Sequence, residues 1–181
     1  MFPSDQELLS QFSVTATKEK GFTTIIQKYQ EKLYWHIRRM VIDHADADDI
    51  LQNVFIKIWK GLENFREDSQ LYTWLYRIAT NETLSFLDKQ KRHATSSLSD
   101  LEESWENKIK ADAHFDGNQM EWKLQLAIKQ LPEKQRIVFN LRYFDAMPYE
   151  EMSKVLETSE GSLKASYHHA AKKIESILTS Y

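Results

Sequence analysis

A chain of 181 residues with 41% hydrophobic and 28% charged content can build one domain or two small ones with modest cores, which excludes disorder throughout. The absence of cysteine excludes disulfide frameworks, thiolate nucleophiles and cysteine zinc sites. A net charge of -3 argues against a general nucleic-acid coat, so any nucleic-acid binding must rest on local charge arrangement. The start, Met1-Phe2-Pro3-Ser4-Asp5, has no basic or apolar leader pattern, and no apolar run approaches membrane-spanning length. The expectation is a soluble cytoplasmic protein without membrane insertion.

Ser4 or Asp5 can cap a short helix carrying Leu8, Leu9 and Phe12. Phe22, Ile25, Ile26, Tyr29, Leu33, Ile37, Met40 and Val41 then hold helical periodicity, with Lys28, Glu31, Lys32, Arg38 and Arg39 on the other face. Asp46 to Asp49 place negative charge at the start of a third helix, where the macrodipole favours it. Ile50, Leu51, Val54, Phe55, Ile58, Trp59 and Leu62 mark its buried stripe, and Gly61 with the polar run after Leu62 loosens the end.

The stretch Asn64 to Asn81 is rich in aromatics, with Phe65, Tyr72, Trp74 and Tyr76. On a helix from about Ser69 to about Leu87, the positions Leu71, Trp74, Leu75 and Ile78 form a core stripe, and Tyr72, Tyr76 and Arg77 fall largely outside it. Aromatic and basic groups beside a polar loop suit stacking on unpaired bases, while ordinary core packing with snorkelling tyrosines accounts for the same residues.

From Asp88 to about Gly117 the periodicity fails and the composition is that of a linker, in which Trp105 and Ile109 suggest a docking part or short helix. Helical spacing returns at Met120, Leu124, Ala127, Ile128 and Leu131, and Pro132 suits the first turn of a helix burying Ile137, Val138, Leu141 and Phe144. Pro148 to Leu156 predicts a short helix, Glu157 to Ser159 a tight turn, and Ser159 a cap for a last helix from Glu160 to about Leu178. That spacing matches a helix-turn-helix, whose second helix enters the DNA major groove. Lys164, Ser166, His168, His169, Lys172 and Lys173 supply donors there, while Leu163, Tyr167, Ala170, Ile174 and Ile177 can face inward. A helical hairpin with a solvated basic face is the other reading of the same pattern.

Catalysis has no evident seat, since nucleotide loops, nucleophile elbows and His-Glu-x-x-His are all absent. His168 and His169 are adjacent and diverge by about 100° on a helix, so they cannot share one ion. The remaining histidines, His36, His44, His93 and His114, sit in unrelated segments. The expectation is no enzyme, no metal and no cofactor.

Three stretches at 46–59, 64–69 and 72–81, reading Asp-Ala-Asp-Asp-Ile-Leu-Gln-Asn-Val-Phe-Ile-Lys-Ile-Trp, Asn-Phe-Arg-Glu-Asp-Ser and Tyr-Thr-Trp-Leu-Tyr-Arg-Ile-Ala-Thr-Asn, resemble region 2 of the extracytoplasmic-function (ECF) group of bacterial sigma factors. Leu-Pro-Glu-Lys-Gln-Arg at 131–136, Tyr-Glu-Glu-Met-Ser-Lys-Val-Leu at 149–156 and Ser-Glu-Gly-Ser-Leu-Lys at 159–164 resemble region 4. The two motif sets stand in the family's order with the family's linker length.

The resemblance implies an all-α fold of two small helical domains, 1–92 and 121–181, joined by a flexible linker at 93–120, the C-terminal one containing the helix-turn-helix. It implies binding to core RNA polymerase, through its beta-prime and beta subunits, and to promoter DNA. Asp48, Asp49, Gln52 and Asn53 would dock on the beta-prime clamp helices, as suits an acidic, amide-rich face. Phe65, Arg66, Asp68, Ser69, Arg77 and Asn81 would meet the minus-ten element. Phe65 would stack on a flipped base, Asn81 would hydrogen-bond its edge, and the arginines would meet phosphates. Ser162, Lys164, Ala165, His168, His169 and Lys172 would meet the minus-35 element. The chain departs from the family where arginine is frequent, at Ser166, His169 and Ala171, and where glycine is frequent, at Glu67. An anti-sigma factor is the expected controlling partner, and the linker would run towards the polymerase active-site cleft. The alternative function is a helix-turn-helix regulator that binds duplex DNA without acting as a sigma factor.

Overall fold

The computed structural model describes residues 2–41, 43–93 and 119–179, and their regular structure is entirely helical. In chain order the helices are α1 Asp5–Ser13, α2 Lys18–Val41, α3 His44–Leu62, α4 Leu71–His93, α5 Gln119–Lys129, α6 Glu133–Tyr143, α7 Tyr149–Leu156 and α8 Glu160–Thr179. The all-α expectation holds, and the expectations at Trp105 and Ile109 lie outside the described residues.

The helix starts follow from local chemistry. Ser4 forms a capping box with Glu7: its hydroxyl accepts from the Glu7 N–H at 3.3 Å while its own N–H donates to the Glu7 carboxylate at 2.7 Å. Asp43 caps α3 by accepting from the Ala45 N–H at 3.0 Å, so the helix begins ahead of the Asp46–Asp49 run that marked it in the sequence. Pro132 and Pro148 stand one residue before α6 and α7, where a missing N–H costs nothing. Glu157 closes α7 in the left-handed region at φ 50°, and the Ser159 hydroxyl accepts from the Ser162 N–H at 3.4 Å to begin α8.

Helix α2 runs through the N-terminal group and packs against α1, α3 and α4. Leu8, Ile25, Leu33, Ile37, Val54, Ile58 and Leu75 are fully buried between them. Gly21 sets the closest approach, because a Cβ there would lie 2.9 Å from the Phe12 backbone nitrogen. Helices α5, α6 and α7 pack against α8, with Ala127, Ile128, Leu131, Phe139, Ala170 and Ile174 forming a core of their own.

The two groups close onto one another. Helix α7 lies along α4, α6 lies against α2, and Met147, Met152, Val155 and Leu163 belong to the same buried cluster as Ile37 and Leu75. This closure corrects one expectation from periodicity. Tyr76, outside the core stripe of its own helix, is buried to 4% exposure because the C-terminal group covers it, and its hydroxyl lies 3.4 Å from Asp145. Trp74, inside that stripe, is only half-buried.

Candidate nucleic-acid interface

The turn after α3 and the first turns of α4 enclose a groove of about 460 Å³. It brings together Phe65, Arg66, Asp68, Ser69 and Arg77 of the set expected at the minus-ten element. Trp74 forms part of its wall, with the Phe65 ring 5.0 Å away at 46°. The indole can lie there because position 61 is glycine: a Cβ at Gly61 would come within 2.9 Å of the Trp74 ring. Glu67 holds the loop at φ 58°, a left-handed conformation that strains any residue with a Cβ and suits glycine.

Asn81 does not line the groove. It is exposed on α4, four residues beyond Arg77 and therefore on the same face about 6 Å further along the axis. Phe65 and Asn81 are thus two points along one surface, and the single pocket expected for both is a groove with an extension.

Lys154, absent from the sequence reading, also lines the groove. It arrives from α7, and only the closure of the two helix groups places it beside Arg77, so no local pattern could have signalled it. Its ammonium lies 2.9 Å from Glu151 Oε1 and 3.4 Å from Glu150 Oε1. Thr73 Oγ1 donates to the other Glu151 oxygen, with both residues buried, Thr73 at 1% exposure and Glu151 at 6%. Burial raises the Glu151 carboxyl pKa, but the Thr73 hydroxyl and the Lys154 ammonium outweigh it and hold the group below its ordinary range.

A second polar contact joins the groups at Asp145. Arg39 Nη1 donates to its Oδ1 at 3.1 Å, and His36 Nδ1 lies 3.4 Å from Oδ2, within ion-pair range but without hydrogen-bond alignment. The His36 ring is fixed from its other nitrogen, 2.9 Å from Thr80 Oγ1, and the Arg39 guanidinium sits over the Phe144 ring at 4.5 Å. Burial, followed by the Asp145 carboxylate, pushes the Tyr76 phenol well above its ordinary range, so its hydroxyl remains a donor.

The other expected surfaces are open. Ser162, Lys164, Ala165, His168, His169 and Lys172 are all exposed along α8, opposite the buried Leu163, Ala170 and Ile174. Lys164 pairs with Glu160 at 3.3 Å and lies 5.6 Å from the centre of the Tyr149 ring. On the outer face of α3, Asp49, Gln52 and Asn53 are exposed beside Ile56, an apolar residue left 52% exposed. Asp48 is more covered and lies 3.3 Å from the His44 ring. Among the described residues no helix is long and apolar enough to cross a membrane, and no group of side chains could hold a metal ion.

Comparisons with known proteins match two separate stretches of the chain. Residues 25–93 match the family model described as Sigma-70 region 2, and residues 121–174 match Sigma-70, region 4. The chain is 32% identical to the RNA polymerase sigma-H factor of Pseudomonas aeruginosa, over 96% of this chain and 93% of that one. It is 31% identical to the ECF RNA polymerase sigma-E factor of Escherichia coli, over 95% and 93%. The fold is shared with CnrH, solved in complex with the cytosolic domain of CnrY, at a TM-score of 0.71, 19% identity and 97% coverage of both chains. It is shared also with the sigma factor RpoE of Bartonella quintana, solved with the anti-sigma factor NepR, at a TM-score of 0.72, 20% identity and coverage of 88% and 98%. Two region models in order and curated relatives matched almost end to end place the chain in the ECF group of the sigma-70 family, the sigma factors that direct core RNA polymerase to particular promoters.

Proposed function

We propose that this sigma factor divides promoter recognition between two surfaces, and that the loop groove on α4 captures unpaired bases of the minus-ten element. The observation that carries the reading is the groove itself, in which the Phe65 and Trp74 rings share the lining with Arg66 and Arg77 beside a polar loop. Phe65 offers a stacking face worth about 1–3 kcal/mol per base, and Arg66 and Arg77 offer charge to the adjacent phosphates. Flipped bases gain contacts that the duplex cannot provide, which offsets an unpairing cost of a few kcal/mol. Asn81, further along α4, meets the next part of the strand.

The exposed face of α8 reads duplex DNA at the minus-35 element through Lys164, His168, His169 and Lys172, with Ser162 and Ala165 allowing close approach. The outer face of α3, acidic and amide-rich around the exposed Ile56, docks on polymerase. Residues 1–92 and 121–181 act as the two recognition domains, with 93–120 between them. The chain works in the cytoplasm, performs no bond-making of its own, and is held by an anti-sigma factor, as CnrY-bound CnrH and NepR-bound RpoE suggest by likeness.

The test is run-off transcription with core polymerase on a library of promoter fragments from the native genome. The expected result is a defined set of start sites that vanish without the chain and weaken with Asn81→Ala or Phe65→Ala. Transcription no greater than that of core enzyme alone would overturn the reading.

A further inference from the structure

We infer that His168 and His169 make this chain's hold on duplex DNA depend on proton concentration: as imidazolium ions they add two phosphate-binding charges to α8, and as neutral rings they withdraw them. The inference deepens the assignment of the exposed α8 face to the minus-35 duplex and rests on it.

The placement of the rings comes from helix geometry. Leu163, Ala170 and Ile174 turn one side of α8 inward. At about 100° per residue, Ala165 and Lys172 then point directly outward, and the two histidines flank that line, one on either side. Both rings are exposed, with centres 6.0 Å apart and planes at 59°. A helix seated in the major groove by its outer face turns side chains so placed towards the two groove walls, where the phosphates run.

Permanent charge on this face is sparse. Lys164 pairs with Glu160 at 3.3 Å, and Lys173 donates to the Gln130 carbonyl at 2.9 Å. Among the described residues, Lys172 is the one lysine of α8 without a hydrogen-bond or ion-pair partner. Glu175 is exposed on the same helix. Two imidazolium ions would therefore add more unpartnered charge than the lysines of this face provide, and charge is what holds a polyanion.

The rings are open to the proton. Imidazole changes charge between about pH 5 and 8. Neither ring forms a hydrogen bond or ion pair among the described residues. Glu160 is held by Lys164, while Glu150 and Glu151 of α7 hold Lys154. Glu175 stands about 10 Å along the axis from His168. The cations of the other helices packed on α8 are engaged elsewhere, Lys129 of α5 at the Met40 carbonyl and Arg142 of α6 at the Met147 carbonyl. A phosphate beside either ring favours the protonated form, so the sign is fixed: duplex binding tightens as pH falls.

The test uses the holoenzyme, the full chain on core polymerase, and a fluorescent duplex from a promoter found by run-off transcription. Affinity and its salt dependence are measured at about pH 5.5 and about pH 8, either side of the imidazole range. Wild type should bind about 10- to 100-fold more tightly at the lower pH, at about tenfold for each charged hydrogen bond gained. Its slope of log affinity against log salt should steepen by up to ~1.8, or ~0.9 for each added phosphate contact. The double variant His168→Gln/His169→Gln should lose both differences, with helical circular dichroism unchanged. The double variant His168→Arg/His169→Arg should bind tightly at both pH values. Titrations within core polymerase cancel when chain variants are compared at one pH. Equal pH responses in wild type and the glutamine variant, or weak binding of the arginine variant at about pH 8, would overturn the inference. Lys172→Ala separates the two levels of the argument: if it weakens binding at both pH values, the α8 assignment stands whatever the histidines do, and if it binds as wild type does, that assignment fails.

Discussion

The two proposed DNA surfaces are built in opposite ways. The α8 face comes from one helix, between Ser162 and Lys172, and every member of it is exposed. The groove is assembled from a loop, one face of α4 and, through Lys154, a helix from the other half of the chain. A surface carried by one helix survives wherever that helix goes. A surface assembled across the contact of α7 with α4 depends on that contact, and the contrast teaches that changes in helix packing reach the groove before they reach the α8 face.

The strongest way to break the contrast is Met152→Ala, which opens a cavity where α7 meets α4. A buried methionine truncated to alanine costs about 2–5 kcal/mol, and thermal unfolding should show a loss of that order. Next comes Phe65→Ala. With one stacking face worth about 1–3 kcal/mol, promoter opening followed by permanganate reactivity of unpaired thymines should fall roughly 5- to 150-fold, while duplex binding at the minus-35 element is kept. The reverse pattern is expected of Lys172→Ala: duplex binding weakens by a few-fold across sequences, the slope of its salt dependence drops by about 1, and opening of a bound promoter is spared. The smallest effect sharpens the loop. Glu67→Gly removes a left-handed strain of about 1 kcal/mol, partly offset by the greater freedom of glycine in the unfolded chain, so a gain of a few tenths of a kcal/mol to about 1 is expected in chemical denaturation.

The pH dependence of the contact between α7 and α4 at Glu151 has a definite sign. Glu151 has a folded pKa below its ordinary value, so its contribution is present above the ordinary carboxylate range and is lost as pH falls through the depressed value. Thermal stability should therefore decline on acidification, and Glu151→Gln should remove that part of the decline.

Much was legible without coordinates because it depends on near neighbours in the chain. The helical periodicity of α2, a cap at Ser4 or Asp5 ahead of α1, the prolines ahead of α6 and α7 and the Ser159 turn each draw on residues within one or two turns. The same holds for the α8 face, since a helix displays its own surface. Tyr76 and Trp74 read differently in the fold because each answers to a residue far away. Asp145 and its neighbours bury Tyr76, and the missing Cβ of Gly61 leaves room for the Trp74 ring in the groove wall.

The sequence by itself therefore determined an all-helical chain with two motif sets, their order, and the residues that one helix can present. Tertiary structure alone decided that α7 lies on α4, that Lys154 stands in the groove, that Glu151 and Asp145 are buried in pairs, and that Asn81 lies beyond the groove's edge. The physical reason is separation along the chain: helical periodicity carries information over a few turns, whereas docking two helix groups depends on surface shape and on polar partners 70 or more residues apart, such as Thr73 and Glu151 at a separation of 78.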